Sequence, residues 1–81
     1  MRSQELISAV RNVIVEELEI RPDELSNHRS LRRDYGLDSV AAVNIVFALE
    51  TLLAIEISAA DVTSVDSVDD IGKLLLPRIQ K

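Results

Sequence analysis

The 81-residue sequence has no cysteine, a single histidine and only two aromatic residues, Tyr35 and Phe47. Each shortage removes a class of function. Without thiols there are neither disulfide staples nor thiolate metal sites. His28 alone supports neither a His-based zinc cluster nor a Ser/His/Asp triad, and no metal site is expected. No apolar run approaches the roughly 18 residues that a membrane span needs, and the opening MRSQELISAV lacks the hydrophobic stretch of a signal peptide. A soluble, cytoplasmic, monomeric chain with no membrane partner is therefore expected. Basic residues are also scarce, nine against fourteen acidic ones, and the net charge of −5 repels phosphate backbones. With so little to stack on bases, no nucleic-acid partner is expected.

What is present suits a packed globule, since 47% of the residues are hydrophobic and 28% are charged. A chain of this length supports one core, so residues 1–81 are read as a single domain. Leu6, Ile7, Val10, Val13, Ile14 and Leu18 recur at spacings of three and four, which predicts a first helix capped by Ser3 and running to about Glu19. Glu5, Arg11, Asn12, Glu16 and Glu19 fall mostly on its other side, while Val15 breaks the pattern. From Ile20 to Asp38 no period is sustained, and Pro22-Asp23-Glu24 predicts one helical turn at most. Structureless connections this long are often functional. Leu25 and Leu31 are its expected anchors, and Gly36 supplies a permissive backbone position before the next helix.

A second helix is predicted from Asp38 or Ser39 to about Leu53, with Asp38 as its N-cap. Ser58 opens a short helix over Ala59 to Ser64. The capping box Ser67-Val68-Asp69-Asp70 starts a last one through Ile71, Leu74 and Leu75, which Pro77 is expected to stop. Gly72 inside it points to close packing, and Asp61, Asp66, Asp69 and Asp70 read mainly as helix-start residues. The fold class is all-α, a small four-helix bundle of three main helices and one short one.

The second helix has two apolar faces. Ala42, Ile45, Val46, Leu49, Leu52 and Leu53 form one that suits a core. On the other side Val40, Val43 and Phe47 cluster with Asn44 and Thr51, and Glu50 is the only charged residue of the helix. So small a bundle cannot bury the whole circumference, which makes this second face a docking strip for weak, reversible partners. The alternative is that Phe47 folds back on the long connection and completes the core. Ser39 stands at the head of the strip, where a phosphate would meet free backbone amides and the positive end of the helix dipole. By position alone, Asp38 and Ser39 can equally be mere helix starters.

The run Asp34-Tyr35-Gly36-Leu37-Asp38-Ser39-Val40 resembles the D-x-G-x-D-S-[L/V] signature of acyl carrier proteins. The resemblance spans nearly the whole chain, through Arg21-Pro22-Asp23-Glu24-Leu25, Ile55-Glu56-Ile57-Ser58 and Val65 to Leu75. It implies a carrier that is not an enzyme. Ser39 would receive a 4'-phosphopantetheine arm from coenzyme A, its hydroxyl attacking the β-phosphate on a separate Mg²⁺-dependent phosphopantetheinyl transferase. Asp38 would position or engage that transferase, and Gly36 would let the loop approach it. The arm's thiol would then hold an acyl or aminoacyl group as a thioester, so a cysteine-free domain can serve thiol chemistry. Partners implied are acyl- or aminoacyl-loading, condensing and transfer enzymes, met through Val40, Val43, Asn44 and Phe47.

The chain departs from the family in charge. Carriers of bacterial fatty acid synthesis usually have acidic residues along the second helix, where this one has Ala41, Asn44 and Thr51 and keeps Glu50. Arg29, Arg32 and Arg33 put positive charge near the attachment site; they are either a solvated loop or contacts for an acidic partner or the arm's phosphate. This favours polyketide, nonribosomal peptide or another specialised pathway over primary fatty acid synthesis. An unmodified helical adaptor is the rival from another class. Val46, Leu49, Val62 and Val65 could line a cargo cleft, but an ordinary core is the preferred reading.

Overall fold

The computed structural model describes residues 2–79. Helix α1 spans Ser3–Leu18, a 3-10 turn Pro22–Glu24, α2 Leu31–Asp34, α3 Ser39–Leu53, α4 Ala59–Ser64 and α5 Val68–Ile79. The fold is the expected all-helical bundle, with one helix more than the sequence predicts: α2, a single turn inside the long connection. It forms because Ser30 caps it, accepting from the Arg33 amide at 3.0 Å, and because Leu31 is buried beneath it.

α1 packs against both α3 and α5. Its stripe Leu6, Val10 and Ile14 is buried, and it meets Ile45 and Leu49 of α3 and Val68, Ile71 and Leu75 of α5 in one core, with Leu25 and Leu31 sealing the loop side. Ile7, Val13 and Leu18 are half-buried, and so is Val15, the residue that breaks the stripe. Gly72 earns its place by packing: a Cβ there would lie 2.5 Å from Cδ1 of Ile7. Ser58 caps α4 in a full capping box, accepting from the Asp61 amide while the Asp61 carboxylate accepts from its own. The Ser67 hydroxyl likewise accepts from the Asp70 amide, but the Asp70 carboxylate takes the amide of Asp66 instead of completing the box.

Three expectations are corrected, and one side chain has a role the sequence does not show. Arg2, not Ser3, is the N-cap of α1, and it provides no side-chain cap; Ser3 is already helical. Pro77 does not stop α5, which continues to Ile79. A proline removes the hydrogen bond to the carbonyl four residues back, and here Lys73 is exposed, so the freed carbonyl can bond water instead. Leu52 is 59% exposed instead of buried, because the α1 residues facing that end of α3 are the polar Gln4, Glu5 and Ser8. Arg11 is no solvated side chain: its guanidinium donates to the carbonyls of Leu25 at 2.8 Å and Pro22 at 2.6 Å and to Oδ1 of Asn27.

Candidate functional site

The connection before α3 is fastened from several directions. Besides the Arg11 contacts, the Tyr35 hydroxyl accepts from the Ser26 amide at 2.7 Å and donates to the Glu24 carbonyl at 2.9 Å. Ser30 Oγ donates to the Asp66 carboxylate, and the Leu31 amide donates to the Asp66 carbonyl at 2.6 Å. Arg32 is exposed but not free: it donates to the carbonyls of Val65 at 2.8 Å and Val62 at 3.0 Å, and its guanidinium lies 3.2 Å from the Asp66 carboxylate. Its expected choice between a solvated loop and a partner contact therefore gives way to an internal clamp. Arg29 and Arg33 are exposed.

After α2 the chain turns through Gly36, whose φ of 66° is left-handed. Nothing would crowd a Cβ at this position, so the backbone conformation, and not a close approach, is what calls for glycine. The Leu37 amide returns to the Leu31 carbonyl at 3.1 Å, with its side chain half-buried, and this lifts Asp38 and Ser39 to the surface. Asp38 caps α3 as expected, its Oδ1 accepting from the Ala41 amide at 2.8 Å. Ser39 is the first residue of α3 and is exposed. A phosphate on its hydroxyl would stand at the positive end of a four-turn helix, where first-turn amides have no carbonyl partner within the helix.

From Ser39 a groove runs between α3 and α4, walled by Leu37, Ala42, Val46, Ile57 and Val62. Beneath it lies an apolar cavity of about 50 Å³, which shares those five residues and reaches Leu49 and Val65. Val46, Leu49, Val62 and Val65, for which an ordinary core was the preferred reading, thus all line this cavity; only Leu49 is fully buried. Leu37 and Ile57 were missed as site residues. The one sequence signal for Ile57 is the apolar alternation of Ile55 and Ile57. The structure fixes it through Glu50, whose carboxylate accepts from the Ile57 amide at 2.9 Å.

On the outer face Val40, Val43 and Phe47 are 70%, 66% and 69% exposed, so Phe47 does not fold back to complete the core. Asn44 is exposed beside them, its amide donating to the Glu17 carboxylate at 3.0 Å. Across the groove, α4 is held by charge. The Arg78 guanidinium donates to both oxygens of Asp61, at 2.7 and 2.9 Å, and this pairing, more than anything else, holds the Asp61 carboxyl well below the usual carboxylate range and raises Arg78. Asp66 is lowered too, chiefly by the Ser30 hydroxyl. Among the described residues no group of three or more His, Asp or Glu is arranged to hold a metal ion, and no helix is long and apolar enough to cross a membrane.

An exposed serine at a helix N-terminus with an apolar groove at its side fits an arm that starts with a phosphate and can lead an attached apolar group along the groove. Residues 8–75 match the family described as a phosphopantetheine attachment site. Acyl carrier proteins of Campylobacter hominis and of a Sulfurovum species are each 34% identical, over 83% and 86% of this chain and 85% and 93% of their own lengths. Acyl carrier protein 3 of Ralstonia nicotianae is 31% identical over 88% of this chain and 82% of its own. The chain belongs to the acyl carrier protein family: it carries a 4'-phosphopantetheine group and is a carrier, not a catalyst.

Proposed function

We propose that Ser39 is the attachment point and that the chain serves a specialised biosynthetic pathway, of polyketide or nonribosomal peptide type. The observation that carries the attachment is the exposed Ser39 hydroxyl on the first turn of α3, behind the Asp38 cap and at the mouth of the groove. Asp38 holds that turn in shape, and Gly36 sets the loop that leads into it. Val40, Val43, Asn44 and Phe47 are the surface that loading, condensing and transfer enzymes meet after the transferase. The exchange consumes coenzyme A and takes place in the cytoplasm, and the carrier acts as a monomer. The arm supplies a thiol on which an acyl or aminoacyl group is held as a thioester.

The specialised assignment rests on charge. The exposed face of α3 bears no carboxylate, since Glu50, its one acid, is engaged by the Ile57 amide. A partner that reads acids on this helix finds none there, so recognition falls to the apolar strip. Cavity size limits what the bundle can enclose. A cavity of roughly 150 Å³ accepts benzene, and the one here is about 50 Å³. It holds a short group at most, so a long chain must remain outside or displace α4.

Intact-protein mass spectrometry after incubation with coenzyme A, Mg²⁺ and a broad-specificity transferase tests the attachment. One phosphopantetheine should add to the wild-type chain and none to Ser39→Ala; a labelled Ser39→Ala would overturn it. For the pathway, Asn44→Glu with Thr51→Glu should raise turnover by condensing enzymes of fatty acid synthesis several-fold. If the unmodified helix already serves those enzymes as well as the acidic variant does, the specialised assignment fails.

A further inference from the structure

An open groove runs between α1 and α3, distinct from the one that starts at Ser39. Ser8, Ala9 and Ala48 contribute small side chains to it, Val13, Phe47 and Leu52 give it apolar surface, and Glu5 and Glu16 are the only charged residues that line it. Neither carboxylate takes part in an ion pair among the described residues. Glu5 is explained by the helix itself, because the first turn of α1 favours negative charge. Glu16 and Glu17 are not: they stand in the last turn, at the negative end of the dipole, and no basic residue accompanies them there. The Asn44 amide offsets Glu17. Glu16 is left at a cost to α1 that nothing on this face relieves, in a groove whose Phe47 and Leu52 are more than half exposed.

We propose that this groove is a second docking surface, for a partner protein that presents a basic amphipathic helix. An apolar side chain of that helix seats against Val13, Phe47 and Leu52, and its cations meet Glu5 and Glu16. Eleven residues separate the two glutamates, about 16 Å or three turns of helix, so the partner's cations stand three turns apart with the apolar contact between them. Phe47 lines both grooves and forms the ridge that divides them. A helix lying on the α1 side therefore leaves Ser39 and the α4 side uncovered. Taken with the carrier reading above, on which this step rests, the partner leaves Ser39 open to the transferase but shares Phe47 with the enzymes that meet Val40 and Val43, so it alternates with them.

The test is an amide NMR titration of the full ¹⁵N-labelled chain with a synthetic amphipathic peptide, one leucine face and two lysines eleven residues apart, against the same peptide with glutamates for lysines. Saturable shifts are expected along Glu5 to Glu16 and at Thr51 and Leu52, with the lysine peptide alone. Glu5→Lys with Glu16→Lys should weaken binding at least tenfold, and Ala9→Trp should fill the groove and abolish it, with circular dichroism confirming that each variant is folded. Both should accept the arm from a transferase at the wild-type rate. Shifts spread over acids elsewhere, such as Asp23 and Asp70, shifts centred on Val40 and Val43, or no shifts would overturn the proposal. So would slower arm attachment in the charge-reversed variant, which would merge this groove with the Ser39 face. A wild-type chain that accepts no arm but binds the peptide as described would instead refute the attachment reading and leave the groove standing.

Discussion

The connection that leads into Ser39 and the helix that faces it across the groove are fastened in contrasting ways. Residues 20–38 send Leu25 and Leu31 into the core and are tied down by Arg11, Tyr35 and Ser30. α4 buries no residue and depends on Arg32 from one side and Arg78 from the other. Both walls border the same groove, yet only the first is anchored by burial. The contrast assigns them different work: the loop fixes where Ser39 stands, and α4 is the wall that can yield to a carried group larger than the cavity.

Leu31→Ala should cause the largest effect. Leu31 is 1% exposed, and truncating a buried leucine costs about 2 to 5 kcal/mol. The melting temperature should fall steeply, and a loss well under 1 kcal/mol by chemical denaturation would break the comparison, because the loop would then not be anchored by its core residue. Arg11→Ala comes next. It leaves two carbonyls and the Asn27 side chain without their donor, a loss of about 1 to 2 kcal/mol. The exchange of amides between Leu25 and Asn27 should accelerate more than that of α4, which would locate the damage on the loop side.

Gly36→Ala sharpens the comparison at the point where the loop meets α3. A left-handed conformation costs a residue with a Cβ roughly 1 to 2 kcal/mol, and the open space around Gly36 offers no clash to add to it. About 1 kcal/mol of stability should be lost in denaturant titration, and attachment at Ser39 should slow. Attachment at the wild-type rate would show that the exact path of the loop does not matter to the transferase.

How much of this was legible in the sequence follows from the range of each interaction. The stripe of Leu6, Val10 and Ile14, the caps at Asp38 and Ser58 and the surface position of Ser39 depend on neighbours within a turn or two, and periodicity and cap chemistry report those. α2 was not legible. Ser30 and Leu31 need Asp66, which lies more than thirty residues away and shows no pairing signal in the chain. Arg11 and Arg32 look like solvated charges for the same reason, since their acceptors are mostly main-chain carbonyls on other elements. Leu52 has the spacing of a core residue, but the residues opposite it are polar, and only the packing of α1 on α3 reveals that.

The smallest effect belongs to the charges that hold α4. Asp61 is lowered first by Arg78 and Asp66 first by Ser30. A carboxylate whose folded value is depressed contributes stability that is complete above its unfolded value, near 3.8, and is lost as pH falls through the folded one. The contacts that Asp61 and Asp66 make should hold between about pH 6 and pH 5 and weaken progressively below about pH 4. NMR spectra recorded across that range should show α4 and the Asp66 region shifting before the buried residues of α1 and α5. Arg78→Gln should remove the Asp61 part of the response and, at neutral pH, speed amide exchange in Thr63 and Ser64 with only a small change in the melting temperature, because the pair is partly open to solvent. High salt should reproduce much of that acceleration in the wild-type chain and add little to it in the variant. If α4 amides exchange as slowly as those of the α5 core in the variant, burial and not charge holds this wall, and the two sides of the groove are alike.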